Sequence, residues 1–407
     1  MPFAFDDLRL DQETHEWMAK LRRWFHRNPE LSFREHNTQK KITDTLTALG
    51  IEHRRAADTG VIGTVYGSDK GRTVALRADM DALQIQEADT SLNKEYVSQN
   101  KGVMHACGHD AHMAMVLGAA KWLQAHRDRL KGNVRLLFQP AEEKLPGGAK
   151  GIINDGGLTD VDAILGVHVL GGAEPGRVMF RPGPYLAQPC DYHLQITGQG
   201  GHHLKPQDCV DPIMVASRFV ASIKQDIAAS IDPTDTYVLG FGTINGGTQY
   251  NQTPEQLRLS GSFRVFDEKV AEMVERAMRR NLDGLMKTFA KVDIESVPRY
   301  DLKINLGYPV LVNDKQFSVR AAETLKRVLP KVDAEDRMNL GGEDFAYYLQ
   351  KVPGLFAFLG AANQDKGIVH FNHSNRFDID EDVLGVGVRV FLTLAVDFLG
   401  NPEPYLR

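Results

Sequence analysis

Apolar positions along this chain change their period several times, and each change marks a new element. Trp17, Leu21 and Trp24 recur at helical spacing. Ile42, Leu46 and Leu49 do the same before Gly50, a residue suited to ending a helix. Two helices are therefore predicted in the first fifty or so residues. Residues 61–66 and 73–77 then read as strands, 109–125 as a helix, 133–138 as a strand, 148–154 as a short helix and 163–169 as a strand. Strands alternating with helices predict an α/β fold with a largely parallel sheet. From about residue 185 the order changes. Residues 192–197 alternate as a half-buried strand, 212–230 are helical, 237–243 and 256–265 are strands, 267–289 are helical and 292–297 are a strand. That β-α-β-β-α-β order is a split-βαβ layout of the ferredoxin-like kind, set as an α+β insertion inside the first domain. The expected organisation is a domain of residues 1–184 and 301–407, interrupted by an inserted domain of residues 185–300.

Composition narrows the function classes. With 407 residues, 48 Lys+Arg against 53 Asp+Glu and a formal net charge of −5, the chain offers no electrostatic reason to bind nucleic acid or an anionic membrane. The apolar stretch 383–399 carries Arg389 and Asp397, which predicts a packed helix, too short and too charged for a membrane span. The cysteines are Cys107, Cys190 and Cys209, without a CxxC pair, so no disulfide framework is expected. A reducing compartment and an acidic start where a signal peptide would be basic predict a cytoplasmic protein.

Chemistry concentrates in residues 105–112, where His105, Cys107, His109, Asp110 and His112 fall together. Imidazole and thiolate are ligands for borderline divalent ions, and a carboxylate can fix an imidazole's tautomer. A free cysteine is ordinarily a small buried hydrophobe, but this mixture is not what a core segment needs. Three further polar groups follow predicted strands: Asp79 and Asp81, the pair Glu142-Glu143, and His168 near a strand's end. Sites in open α/β sheets form beyond the carboxyl ends of strands, so these segments can converge on one cleft. An adjacent acidic pair is usually an exposed turn, and a histidine in an apolar strand is usually a core residue. Behind a Gln-Pro and an apolar strand, Glu142-Glu143 instead predicts a cation between them, one carboxylate coordinating and the other taking a proton from water. His373 is a late candidate, and His15, His26, His36, His53, His126 and His193 read as structural.

Taken in order, residues 77–83, 104–112, 138–143 (FQPAEE), 166–169 (GVHV), 198–202 (GQGGH), Asn251, residues 261–264 (GSFR), residues 341–345 (GGEDF) and His373 resemble the M20 metallopeptidase family. Within it they are similar to the amidohydrolases that cleave N-acyl amino acids, a group including aminoacylases, hippurate hydrolases and auxin-conjugate hydrolases. The resemblance covers nearly the whole chain. It implies two divalent ions (Mn, Zn, Ni or Co) held by Cys107, His109, Glu143, His168 and His373. Glu142 would be the general base and Asp81 a supporting carboxylate. The inserted domain would be a lid and dimerisation domain, giving a homodimer or homotetramer. From it His202 would stabilise an oxyanion, while Asn251 and Arg264 would hold the substrate carboxylate. The expected ligand is a small-molecule N-acyl amino acid.

Two departures from the family pattern bear on substrate preference. Residues 203–207 read HLKPQ where small residues and then Pro-His are usual, and Gln86 lies near a common proline. The expected reaction is hydrolysis of a linear amide. The alternatives are a dipeptidase or carboxypeptidase of the same family, a metal-free cysteine hydrolase using Cys107, and a non-catalytic metal-binding protein.

Overall fold

A computed structural model of the chain describes Phe3, residues 7–294 and residues 298–406. Two compact units are present: Met1–Tyr185 with Leu311–Met338 and Glu343–Arg407, and Leu186–Val310 with Asn339–Gly342.

The larger unit is built on an eight-stranded sheet. Its order is Glu52–Ala56, Gly60–Val65, Asn133–Gln139, Thr73–Asp79, Ala163–Leu170, Gly354–Gly360, Val178–Met179, Val332–Asp333. The four strands from Asn133–Gln139 to Gly354–Gly360 are mutually parallel. Thr73–Asp79 and Gly354–Gly360 are buried at every position, as a strand covered on both faces must be. Helices Gln12–Arg27, His109–Ala125 and Val383–Gly400 pack against one another, the last two also against Thr73–Asp79.

Two expectations change here. The helix Val383–Gly400 has 18 residues and a mean hydropathy of 1.9, enough by length and composition to cross a membrane. Burial rather than length marks it as a core helix, because Leu384, Val388, Phe391, Leu394 and Phe398 are all fully enclosed. In Gln12–Arg27 the enclosed stripe is Met18, Leu21, Arg22 and Phe25, so of the spaced residues Trp17, Leu21 and Trp24 only Leu21 belongs to it. Both tryptophans sit at the margin, where Lys121 and Lys41 lie over their rings.

The smaller unit has a four-stranded antiparallel sheet ordered Tyr237–Gly246, Gln256–Val265, Gln188–Thr197, Arg299–Leu306. Helices Pro212–Ala228 and Glu268–Phe289 cover it, each capped at its start by an aspartate, Asp211 or Asp267. The order is the split-βαβ one. Its last strand is Arg299–Leu306 rather than 292–297. Val292 and Asp293 form a turn, and residues 295–297 of the expected strand lie outside the described residues. Tyr300, Leu302 and Ile304 carry the same alternation and pack on this unit's core. The unit therefore runs past residue 300 to Val310.

Candidate metal centre

The parallel strands deliver their polar groups to one end of the sheet. Asp79 closes Thr73–Asp79, with Asp81 two residues on. Asn133–Gln139 leads through Ala141, held at a left-handed φ of 55°, into Glu142 and Glu143. His168 lies in Ala163–Leu170. Cys107 and His109 flank Gly108, which begins helix His109–Ala125 at φ 87°. A Cβ on Gly108 would stand 2.2 Å from a Val169 methyl, so glycine is required for that close approach. The late segment is stitched to this turn. The His373 N–H donates to Ala106 O, and Asn372 Nδ2 donates to the carbonyls of Cys107 and Val169.

All five expected ligands converge. Cys107 Sγ lies 3.4 Å from His168 Nε2 and 3.3 Å from His373 Nε2. Glu143 Oε1 lies 3.3 Å from His373 Nε2 and 3.9 Å from His109 Nε2. Three overlapping groups, Cys107–Glu143–His373, His109–Glu142–Glu143 and Asp79–His109–His112–His168, each bring their donor atoms within 4.8 Å of one another. Because Glu143 and His109 are shared, these form one continuous donor cluster.

Tautomers follow from the surroundings. His168 Nδ1 donates to Val169 O at 2.8 Å, which leaves the Nε2 lone pair facing Cys107. His112 is committed at both nitrogens, with Nδ1 at 2.6 Å from Asp79 Oδ1 and Nε2 accepting from Val169 N–H. It therefore supports the cluster and does not coordinate. Asp81 accepts from the backbone N–H of both Glu142 and Glu143 at 3.0 Å, and from Ser32 Oγ at 2.6 Å. Its Oδ1 also lies 3.3 Å from His109 Nδ1. Asp110 faces away from the cluster, towards Arg22 and His26, and His105 is buried outside the donor groups.

The residues present fit a divalent metal. Both nitrogens of His109 and Oε1 of Glu143 are buried without an aligned hydrogen bond. Such atoms cost about 1–3 kcal/mol each unless something satisfies them. Burial opposes a charge on His109, yet Asp79, Asp81 and Glu143 outweigh it and raise its pKa to about 10. Burial, then the carboxylates of Glu143, Glu142 and Asp79, push the Cys107 thiol up. Burial raises Glu142 well above the carboxylate range, reinforced by Glu343, Glu143 and Asp344. The cluster thus draws in positive charge, and a soft thiolate with imidazoles and a carboxylate suits a borderline ion.

Several supporting residues escaped the sequence reading. Buried Arg77 reaches Gln139 Oε1 at 2.9 Å, Asp79 Oδ2 at 2.5 Å, Glu343 Oε1 at 2.9 Å and Asp344 Oδ1 at 3.0 Å. Glu343 and Asp344 sit in GGEDF, a motif that carried resemblance but no role. Buried Glu35 accepts from Ala141 N–H and Thr59 Oγ, so it fixes the turn before Glu142. Burial lifts its pKa to about 7. No local pattern marks Glu35. His26, read as an ordinary structural histidine, is fully buried between Asp110 and Glu87.

The remaining candidates lie in the smaller unit. His202 and Asn251 line one cavity of about 630 Å³ with Gly200, Gly201, Thr248 and Gln252, and His202 is exposed. Gln256 lines the same cavity, but Arg264 lies eight positions further along its strand, about 26 Å away. Within this unit Arg264 and Asn251 do not meet; the guanidinium's Nη1 donates to Phe263 O.

Comparison with known proteins accords with this site. Residues 75–397 match the model of peptidase family M20/M25/M40. The chain is 37% identical to thermostable carboxypeptidase 2 of Saccharolobus solfataricus, over 95% of this chain and 96% of the relative. It is 36% identical to N-acetyl-L-cysteine deacetylase of Bacillus subtilis, over 89% and 84%. Among solved structures, the Bacillus subtilis YXEP protein, described as a dinuclear metal binding peptidase from the M20 family, superposes with a TM-score of 0.82 at 32% identity, covering 96% of this chain and 100% of that one. With its matched span, its fold and its donor cluster in agreement, the chain belongs to the M20/M25/M40 peptidase family and is a hydrolase.

Proposed function

We propose that this protein hydrolyses N-acyl amino acids to a carboxylic acid and a free amino acid, using two divalent ions held by Cys107, His109, Glu143, His168 and His373. The observation that carries this reading is buried Glu142 set beside the donor atoms of His109 and Glu143. Bound there, the ions would act as Lewis acids towards a carbonyl and would acidify a water. Glu142 takes a proton from the attacking water and returns it to the departing amine nitrogen. Its raised affinity for a proton suits that shuttle. Asp81 fixes the base by holding its backbone N–H, and its position beside His109 Nδ1 orients that imidazole.

A carboxypeptidase is the second reading, favoured by the name of the Saccharolobus relative. Both reactions attack an amide beside a free carboxylate, so a panel of N-acetyl and N-benzoyl amino acids against dipeptides separates them. A metal-free cysteine hydrolase is disfavoured, because burial and then the surrounding carboxylates hold the Cys107 thiol protonated unless a cation is present.

The mechanism is tested with Glu142→Gln. The variant should bind metal as the wild type does, by elemental analysis, while turnover of an N-acyl amino acid falls by about 10²–10⁴. Near-normal turnover would remove Glu142 from this role. Cys107→Ala should instead lose metal.

A further inference from the structure

We propose that Phe33, Leu145 and Phe371 form an apolar rim around the metal centre that receives an apolar acyl group, so that long or aromatic acyl chains are favoured over acetyl. This rests on the reading of the chain as an N-acyl amino acid hydrolase and names the half of the substrate that the rim selects.

Each of the three is a large apolar side chain left in solvent, at 39%, 52% and 68% exposure. Each lies beside a residue of the centre. Leu145 is two positions after Glu143, and Phe371 is two positions before His373. Phe33 follows Ser32, whose hydroxyl donates to Asp81. Two residues of chain span at most about 7 Å, so Leu145 and Phe371 are tied to the ligand sphere. Exposed apolar groups scattered singly need no explanation, whereas these three are grouped by their chain ties to one polar centre.

The backbone of these segments is also unusual. Of the six described non-glycine residues at positive φ, three belong to them, Phe33 at 66°, His373 at 67° and Ala141, just before Glu142, at 55°; the others are Ala57, Asp58 and Asp160. Non-glycine residues in this region are strained by about 1–3 kcal/mol, and such strain gathers at sites whose geometry is functional. Phe371 is also seated deliberately. Its ring occupies the space where a Cβ on Gly172 would be, 2.3 Å from that position. Glycine there lets the aromatic ring lie flat on the chain just beyond the strand that carries His168.

Of the substrate's two halves, the amino acid keeps a carboxylate, which an apolar wall would desolvate at a cost. The acyl half carries no charge, and the rim suits it.

The test is a series of N-acyl derivatives of one amino acid, from acetyl to octanoyl and benzoyl, assayed on the metal-loaded protein. Full burial of each methylene predicts a rise of up to about fourfold in kcat/KM. Phe371→Ala and Leu145→Ala should flatten that slope, and Phe371→Leu should preserve most of it, which separates lost apolar contact from a damaged fold. A parallel series varies the amino acid side chain on a fixed acetyl group. A flat acyl series, equal slopes in wild type and alanine variants, or a slope confined to the amino acid series would overturn the rim. No cleavage of any N-acyl substrate by the metal-loaded protein would instead sink the underlying reading.

Discussion

Arg77 decides how four buried carboxyl groups can coexist. Asp79, Glu343 and Asp344 contact its guanidinium directly, and the Glu142 carboxyl lies within 4.8 Å of those of Glu343 and Asp344. One fork of fixed donors thereby joins the end of strand Thr73–Asp79 to the returning segment at residue 343. Removing one partner of a buried charge network leaves the others unpaired, at a cost of about 3–5 kcal/mol. Arg77→Met should therefore lower the unfolding free energy by about that much in urea titration. Arg77→Lys should fall between, because an ammonium cannot reproduce the planar fork. A loss under 1 kcal/mol in Arg77→Met would show that the carboxyls simply take up protons. In the sequence, Arg77 reads as the polar end of an apolar strand. Its partners lie up to 267 positions away, so no local pattern could reveal them.

At the scale of elements, helix Gln12–Arg27 reaches the metal segment through charge as well as packing. Arg22 donates to Asp110 and Asp378, and His26 bridges Asp110 and Glu87. The network pins the first turn of helix His109–Ala125 to the first helix. Burial disfavours the charged form of His26, yet Asp110 and Glu87 prevail and raise its pKa to about 9. A folded-state pKa above the ordinary value of about 6.5 means the charged histidine stabilises the fold below pH 6.5. That contribution is lost as pH rises through about 9. The stability gap between wild type and His26→Gln should thus be widest near pH 6, on the order of 3 kcal/mol, and narrow by pH 9.5. A gap independent of pH would mean that His26 contributes through packing alone. The sequence made the helix visible but not its buried stripe. Trp17 and Trp24 are large and correctly spaced, yet an indole can rest at the margin under a lysine, whereas Met18 and Phe25 fill the closed interior.

On the scale of the whole molecule, the donor cluster belongs entirely to the larger unit, and its ligands come from four separate stretches of chain. Element types were largely readable because the period of apolar positions depends only on neighbouring residues. The motifs after strand ends pointed to one cleft for a general reason: parallel strands present their carboxyl ends together. What stayed hidden was the second layer, Glu35, Arg77 and Glu343, because each acts through tertiary contact. A metal held by this cluster would have a thermal consequence. An ion that binds only the folded cluster stabilises it by about 4 kcal/mol at a thousandfold excess over Kd. In a unit as large as this one that corresponds to roughly 7 °C. The smaller unit has its own core of Tyr192, Phe219, Leu259, Phe263 and Val274, and none of its described residues joins the donor cluster. Calorimetry with chelator and then with added manganese should therefore move the transition of the larger unit by about that amount. Cys107→Ala should blunt the shift, because the thiolate joins His168 to His373. A chelator-insensitive transition in the wild type would mean that the cluster is complete without metal, with protons on His109 and Cys107 meeting the charge that the carboxylates impose.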